Sequence, residues 1–149
     1  HPLISSLLQK GRLFSEKEKG DLLDFHLELI KGLMPHYSSK WSDGQVEIST
    51  SPFYHPILPL LIDTDFGRRP RPETKLPPRF THPEGARTQL KRARDFCKEV
   101  LGQAPAGVWP SEGSVAPELI PFIEDAGFSW AATDEAILYN SVKERTSQT

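Results

Sequence analysis

The sequence predicts an α/β fold built on a parallel sheet, and three observations carry that expectation. Segments with helical spacing alternate with short apolar, β-branched segments, in the order helix, strand, long loop, helix, strand, helix, strand. The strand-like segments after the loop are separated by helices, as crossover connections between parallel strands require. The ends of those segments carry Pro, Gly, Ser and Glu, the residue types of turns and helix starts.

Taken in order, Ser15-Glu16-Lys17-Glu18 has the form of a capping box. Leu22, Leu23, His26, Leu29, Ile30 and Leu33 follow at helical spacing, and Pro35 is expected to end the helix. Residues 46–50, Val-Glu-Ile-Ser-Thr, alternate apolar and polar side chains as a strand does. Residues 51–83 carry prolines at 52, 56, 59, 70, 72, 77, 78 and 83, with Arg68, Arg69 and Arg71 between them, and read as one long loop. Thr81-His82-Pro83-Glu84 opens a second helix with Leu90, Ala93, Phe96, Cys97, Val100 and Leu101 on one face and Gly102 at its end. Ala106-Gly107-Val108-Trp109 reads as a buried strand, and Ser114 with Pro117 and Glu118 starts a third helix that closes at Gly127. Residues 128–132 form a third strand, followed by the turn Thr133-Asp134-Glu135 and a short helix from Ala136.

Composition narrows the function. Charged residues make up 26% of the chain and the net charge is −2, so there is no basic field of the kind nucleic acid requires. The longest apolar run, residues 57–62, is broken by Pro59 and is too short to span a bilayer. No signal peptide is visible, and the single cysteine, Cys97, reads as core filler, so the expected location is the cytoplasm. The His1-Pro2 start and the polar residues 141–149 read as those of an internal fragment, expected to be marginally stable or to aggregate when isolated.

In parallel α/β sheets the segments leaving the carboxyl ends of the strands build the active site. Three segments qualify: residues 51–55, 110–114 and 134–135. Glu112 is the most suggestive residue. A carboxylate on a strand-to-helix turn is held from both sides, and beside the Trp109 ring it suits attack on, or support of, an electron-poor sugar carbon. The alternative is that Glu112 caps the following helix and Trp109 is core. His55, in Phe53-Tyr54-His55-Pro56, could bond a substrate hydroxyl or only its own neighbours. Asp134 and Glu135 line the same mouth or cap the next helix. The histidines lack metal-ligand spacing, no phosphate-binding glycine loop is present, and Ser111 and Ser114 lack a nucleophile elbow.

Gly44-Gln45-Val46-Glu47-Ile48 running on to Tyr54-His55-Pro56-Ile57-Leu58-Pro59-Leu60-Leu61, then Gly107-Val108-Trp109-Pro110-Ser111-Glu112 with Pro117-Glu118-Leu119, resemble the second and third sequence regions of glycoside hydrolase family 57. The resemblance covers roughly residues 44–138. It implies a portion of an incomplete (β/α)7 barrel, with residues 1–149 a single partial catalytic domain carrying the Pro/Arg-rich loop at about 51–83. It implies a retaining hydrolase or glucanotransferase acting on α-glucans or oligosaccharides by double displacement, with Glu112 as nucleophile. His55, Trp109, Tyr54 and Asp134 would shape the subsite. Glu118 matches the later P-E-L and is not the nucleophile. The family's first region has no counterpart here. Nor has the aspartate that serves as general acid, so the isolated chain is expected to be inactive. No metal or organic cofactor, nucleic acid or membrane is implied, and oligomeric state is not legible. The rival readings are a non-catalytic glucan-binding relative and a metal-dependent deacetylase-like barrel.

Overall fold

The computed structural model describes residues 1–146. The sequence reading took the chain as one domain; the backbone groups into two compact units, one spanning His1–Gln45 and one from Val46 onward.

The first unit is a pair of helices. Helix α1, Pro2–Lys10, was not anticipated, although Pro2 in its first turn and Gly11 at its C-cap are start and stop signals. Helix α2, Glu16–Ser42, begins at the expected capping box: the Ser15 hydroxyl accepts from the Glu18 amide, and the Glu18 carboxylate accepts from the Ser15 amide. The helix does not stop at Pro35, as expected, but runs through it. Proline deletes one backbone bond out of a long ladder. The helix is instead ended by Gly44 in the left-handed region, φ 69°, where the Gln45 amide returns to the Lys40 carbonyl. The expected apolar stripe is present, but its members Leu23, Leu29, Ile30 and Leu33 are exposed and no α2 residue is buried.

The second unit holds the core. The expected loop at 51–83 is not structureless. Helix α3, Leu58–Ile62, starts with Pro59 in its first turn, and a 3₁₀ turn follows at Thr64–Arg68. Proline fits a helix's first turn because that amide has no intrahelical acceptor. Residues 63–80 form a closed loop of the Ω type. Its neck is clasped where the Thr64 amide donates to the Phe80 carbonyl at 3.0 Å and the Phe80 amide to Thr64 Oγ1 at 2.9 Å. Beside the clasp, Arg79 forks onto the buried Asp63 carboxylate. Those two contacts hold the ends of a segment that proline alone would leave without backbone partners.

Helix α4, Pro83–Leu101, begins and ends as expected, with Gly102 at φ 83°. It turns Ala86, Leu90, Ala93 and Leu101 inward, whereas Phe96 and Val100, assigned to the same face, are exposed. Its buried face packs with Leu58, Val108, Leu119, Ile123 and Phe128. Truncating Leu90, which is fully buried, would cost about 2–5 kcal/mol.

The sheet is smaller than expected. Strand β1, Gly107–Val108, pairs in parallel with β2, Trp130–Ala131, in the register Gly107 to Trp130 and Val108 to Ala131. The predicted strand at 46–50 contributes only Thr50, which bridges in parallel to Val108. β1 offers two residues, so the alternation at 46–50 has little edge to pair with. The third helix is likewise short: a 3₁₀ turn at Pro117–Leu119 leads into α5, Ile120–Asp125. Helix α6, Glu135–Thr146, follows β2 and takes in residues 141–146 of the expected polar tail; the rest of that tail lies outside the described residues.

Candidate active site

The three extended segments run in the same direction, so their carboxyl ends meet. The Thr50 amide donates to the Gly107 carbonyl and the Trp109 amide to the Thr50 carbonyl, while the Ala132 amide donates to the Val108 carbonyl. The segments that follow are residues 51–55, 110–114 and 132–134; the first two are those expected to form the site, and the third shares only Asp134 with the expected 134–135, because Glu135 already begins the next helix.

Glu112 sits in the turn Ser111–Gly113 with φ 56° and ψ 22°, the left-handed region that a non-glycine residue seldom adopts. The turn is braced on both sides. Pro110, Ser111 and Gly113 are buried, the Gly113 amide donates to the Pro110 carbonyl at 2.8 Å, and the Gly113 carbonyl accepts from Thr133 Oγ1 at 2.7 Å. The last bond ties the turn after β1 to the turn after β2. The Trp109 indole lies over Gly113, where an added Cβ would stand 3.5 Å from the ring. The buried framework thus fixes the backbone and leaves the Glu112 carboxylate in the open, 74% exposed.

His55 has the same backbone peculiarity, φ 57°. Its amide donates to the Pro52 carbonyl at 2.8 Å, and Gln89 of α4 holds the preceding residues by accepting from the Phe53 and Tyr54 amides. His55 Nδ1 lies 4.0 Å from Glu112 Oε1. Among the described residues the Glu112 carboxylate makes no hydrogen bond. It does not cap a helix: the turn at Pro117–Leu119 starts from Ala116.

The structure therefore brings Glu112, His55 and Trp109 into adjoining turns, while the side chains of two other candidates make contacts of their own. Asp134 is beside the turn through its backbone, but its carboxylate accepts from the Ala136 amide and caps α6. The Tyr54 ring stacks edge-on against Phe53 and lies under the Arg92 guanidinium of α4. The sequence does not single out Gln89 or Thr133, and it raises Ser111 only as a nucleophile without an elbow. Nothing in their spacing marks them, because each acts through a backbone contact or through burial. Ser111 Oγ is buried with no hydrogen-bond partner among the described residues.

Around this turn the ionic contacts are specific. Arg69 of the Ω loop forks onto Glu118, with bonds of 2.8 and 2.5 Å, and holds its carboxyl at about 2. Arg79 likewise holds the Asp63 carboxyl below its ordinary value, helped by the Asp65 amide. Two of the three clustered arginines, Arg68 and Arg69, are thus bonded within the fold, Arg68 to Asp65 and the Thr74 carbonyl. Cys97 is half-buried, and burial pushes its thiol up. Among the described residues no three His, Cys, Asp or Glu side chains gather as a metal ion would need.

The turn after β1 thus holds an exposed carboxylate 4.0 Å from an imidazole, next to a glycine that an indole covers. The pattern that defines glycosyl hydrolase family 57 matches residues 8–148, and the chain belongs to that family. It is similar to Alpha-amylase 1 of Dictyoglomus thermophilum (strain ATCC 35947 / DSM 3960 / H-6-12), with 27% identity over 97 residues. That alignment takes in 65% of this chain and 11% of the relative, so the chain matches only a small part of the relative's length. No solved structure matches the chain.

Proposed function

We propose that this chain carries the nucleophile turn of a retaining α-glucan hydrolase or glucanotransferase, and that its second unit is a portion of an incomplete (β/α)7 barrel. Family membership supports the substrate class, and the position of Glu112 supports the role. The single observation that carries the reading is the braced left-handed turn, which projects an unbonded carboxylate at the carboxyl end of β1. Backbone strain of this kind persists only where the surroundings over-determine it, and it gathers at functional sites.

In this reading the Glu112 carboxylate attacks the anomeric carbon, the glycosidic bond breaks, and a covalent glycosyl-enzyme forms. Water or an acceptor sugar then displaces Glu112 with a second inversion, so configuration is retained. His55, within reach of the same carboxylate, orients it and bonds a hydroxyl of the sugar. Trp109 offers its exposed face to the ring. Retention needs a second carboxyl group about 5 Å from the first to protonate the leaving oxygen. Asp134 is engaged in capping α6, and we assign that acid to sequence outside this chain.

The test is turnover of soluble starch and maltooligosaccharides by the full-length protein and by its Glu112→Gln variant. Loss of turnover with an unchanged melting curve supports the assignment. Equal rates in the two proteins overturn it. Glucan binding without turnover in the wild type would instead favour a non-catalytic relative.

A further inference from the structure

A groove of about 870 Å³ opens beside the Glu112 turn. Its walls include Ile57, two residues beyond His55, and Ser114, two residues beyond Glu112, so the segments that carry the candidate catalytic pair continue into its lining. The opposite wall is the tip of the Ω loop, with Phe66 and Arg69, and α6 supplies Ile137 and Asn140. The volume is that of a small-molecule site, and the lining mixes apolar faces with a few hydrogen-bonding groups. A sugar chain needs that mixture, because each ring has C–H faces and a rim of hydroxyls.

Inside the loop, Arg68 bonds Asp65 and the Thr74 carbonyl, but these contacts stay within the loop and do not tie it to the groove's other wall. The clasp at Thr64 and Phe80 fixes only the neck. Beyond it, Arg69 spans from the tip to Glu118, in the turn that follows the Ser114 wall, and its guanidinium lies 4.0 Å over the Phe66 ring. A planar fork bound at both nitrogens and stacked on an aromatic ring is a rigid tie.

We propose that this groove seats the glucan segment that extends from Glu112, and that Arg69 and Glu118 are positioning residues that hold the loop wall against it. The inference rests on the proposed glucan-active reading. It goes beyond that reading by assigning the chain's path to the loop of residues 63–80 and by giving Glu118, a residue outside the chemistry, a structural task in substrate binding.

The experiment uses the full-length protein and maltoheptaose. In the Glu112→Gln background, maltoheptaose should protect the amides of residues 64–69 and 114–116 from hydrogen exchange. In the otherwise wild-type protein, Arg69→Ala or Glu118→Gln should raise KM about tenfold, with a much smaller fall in kcat. The charge exchange Arg69→Glu with Glu118→Arg should bring KM back toward wild type, which a general loss of folding would not allow. If the wild type turns over glucan but the groove segments gain no protection, or the single variants change kcat alone, the groove assignment is overturned and the nucleophile assignment stands. If the wild type turns over no α-glucan, both fall.

Discussion

His55 Nδ1 stands 4.0 Å from Glu112 Oε1, and the two residues share a left-handed backbone, with φ near 57° and 56°. Two non-glycine residues held in that region and facing each other are a source of local strain, about 1–2 kcal/mol each relative to a glycine-compatible backbone.

Glu112→Gly should therefore abolish glucan turnover while leaving stability unchanged or raising it by up to about 1 kcal/mol, since glycine relieves the strain but gains entropy when unfolded. Thermal melts set beside activity measure both effects. A marked drop in melting temperature would show that the Glu112 side chain stabilises the turn, and would count against a site kept at the expense of strain.

The Ω loop should loosen in acid. Arg69 draws the Glu118 pKa from its ordinary 4.5 down to about 2, so the ionised carboxylate stabilises the fold above 4.5 and loses that contribution as pH falls toward 2. Asp63 moves in the same direction, held down chiefly by Arg79. Limited proteolysis within residues 68–76 should be constant from neutral pH to about 5 and rise at lower pH, measured with an acid-stable protease. Asp63→Asn should produce the same opening at neutral pH. Cleavage that is equally fast at neutral and acid pH would mean that the two forks do not hold the loop.

Gly107→Ala should disturb the sheet, because an added Cβ would overlap the Trp130 ring. Trp130 Nε1 donates to Glu47 Oε1 at 3.0 Å, so moving the ring also breaks a hydrogen bond. The expected cost is about 1–3 kcal/mol, with a change in tryptophan fluorescence. Trp130→Ala in the same chain should recover part of the loss.

Ser111→Ala should be neutral or stabilising by up to about 1 kcal/mol, because the hydroxyl is buried with no partner among the described residues. A loss of activity without a loss of stability would instead place that hydroxyl in the working site beside Glu112. Activity and denaturant melts of one variant separate the two.

Much of the local structure was legible because its causes are local. The Ser15–Glu18 box starts α2, Pro83 and Gly102 bound α4, and Gly107-Val108 and Trp130-Ala131 fall within the expected strands. Two of the misreadings share an origin in proline. Pro35 was given its average effect, and the prolines at 51–83 were read as a loop, although Pro59 starts α3. Proline's consequence depends on which turn of a helix it occupies, and composition does not report that.

The site divides in the same way. Residue order alone places a carboxylate after an apolar strand, flanked by Trp109 and Gly113, and His55 after a second extended segment. Those are properties of neighbours along the chain. Folding in three dimensions is what sets the two turns face to face, engages Asp134 in capping α6, turns Tyr54 to Arg92 and brings Arg69 to Glu118. Each depends on the parallel register that Thr50 and β2 make with β1, on the clasp of the Ω loop, or on which group reaches a free amide first. Distances between segments far apart in sequence are set by packing and hydrogen-bond register, and no local pattern of residues encodes them.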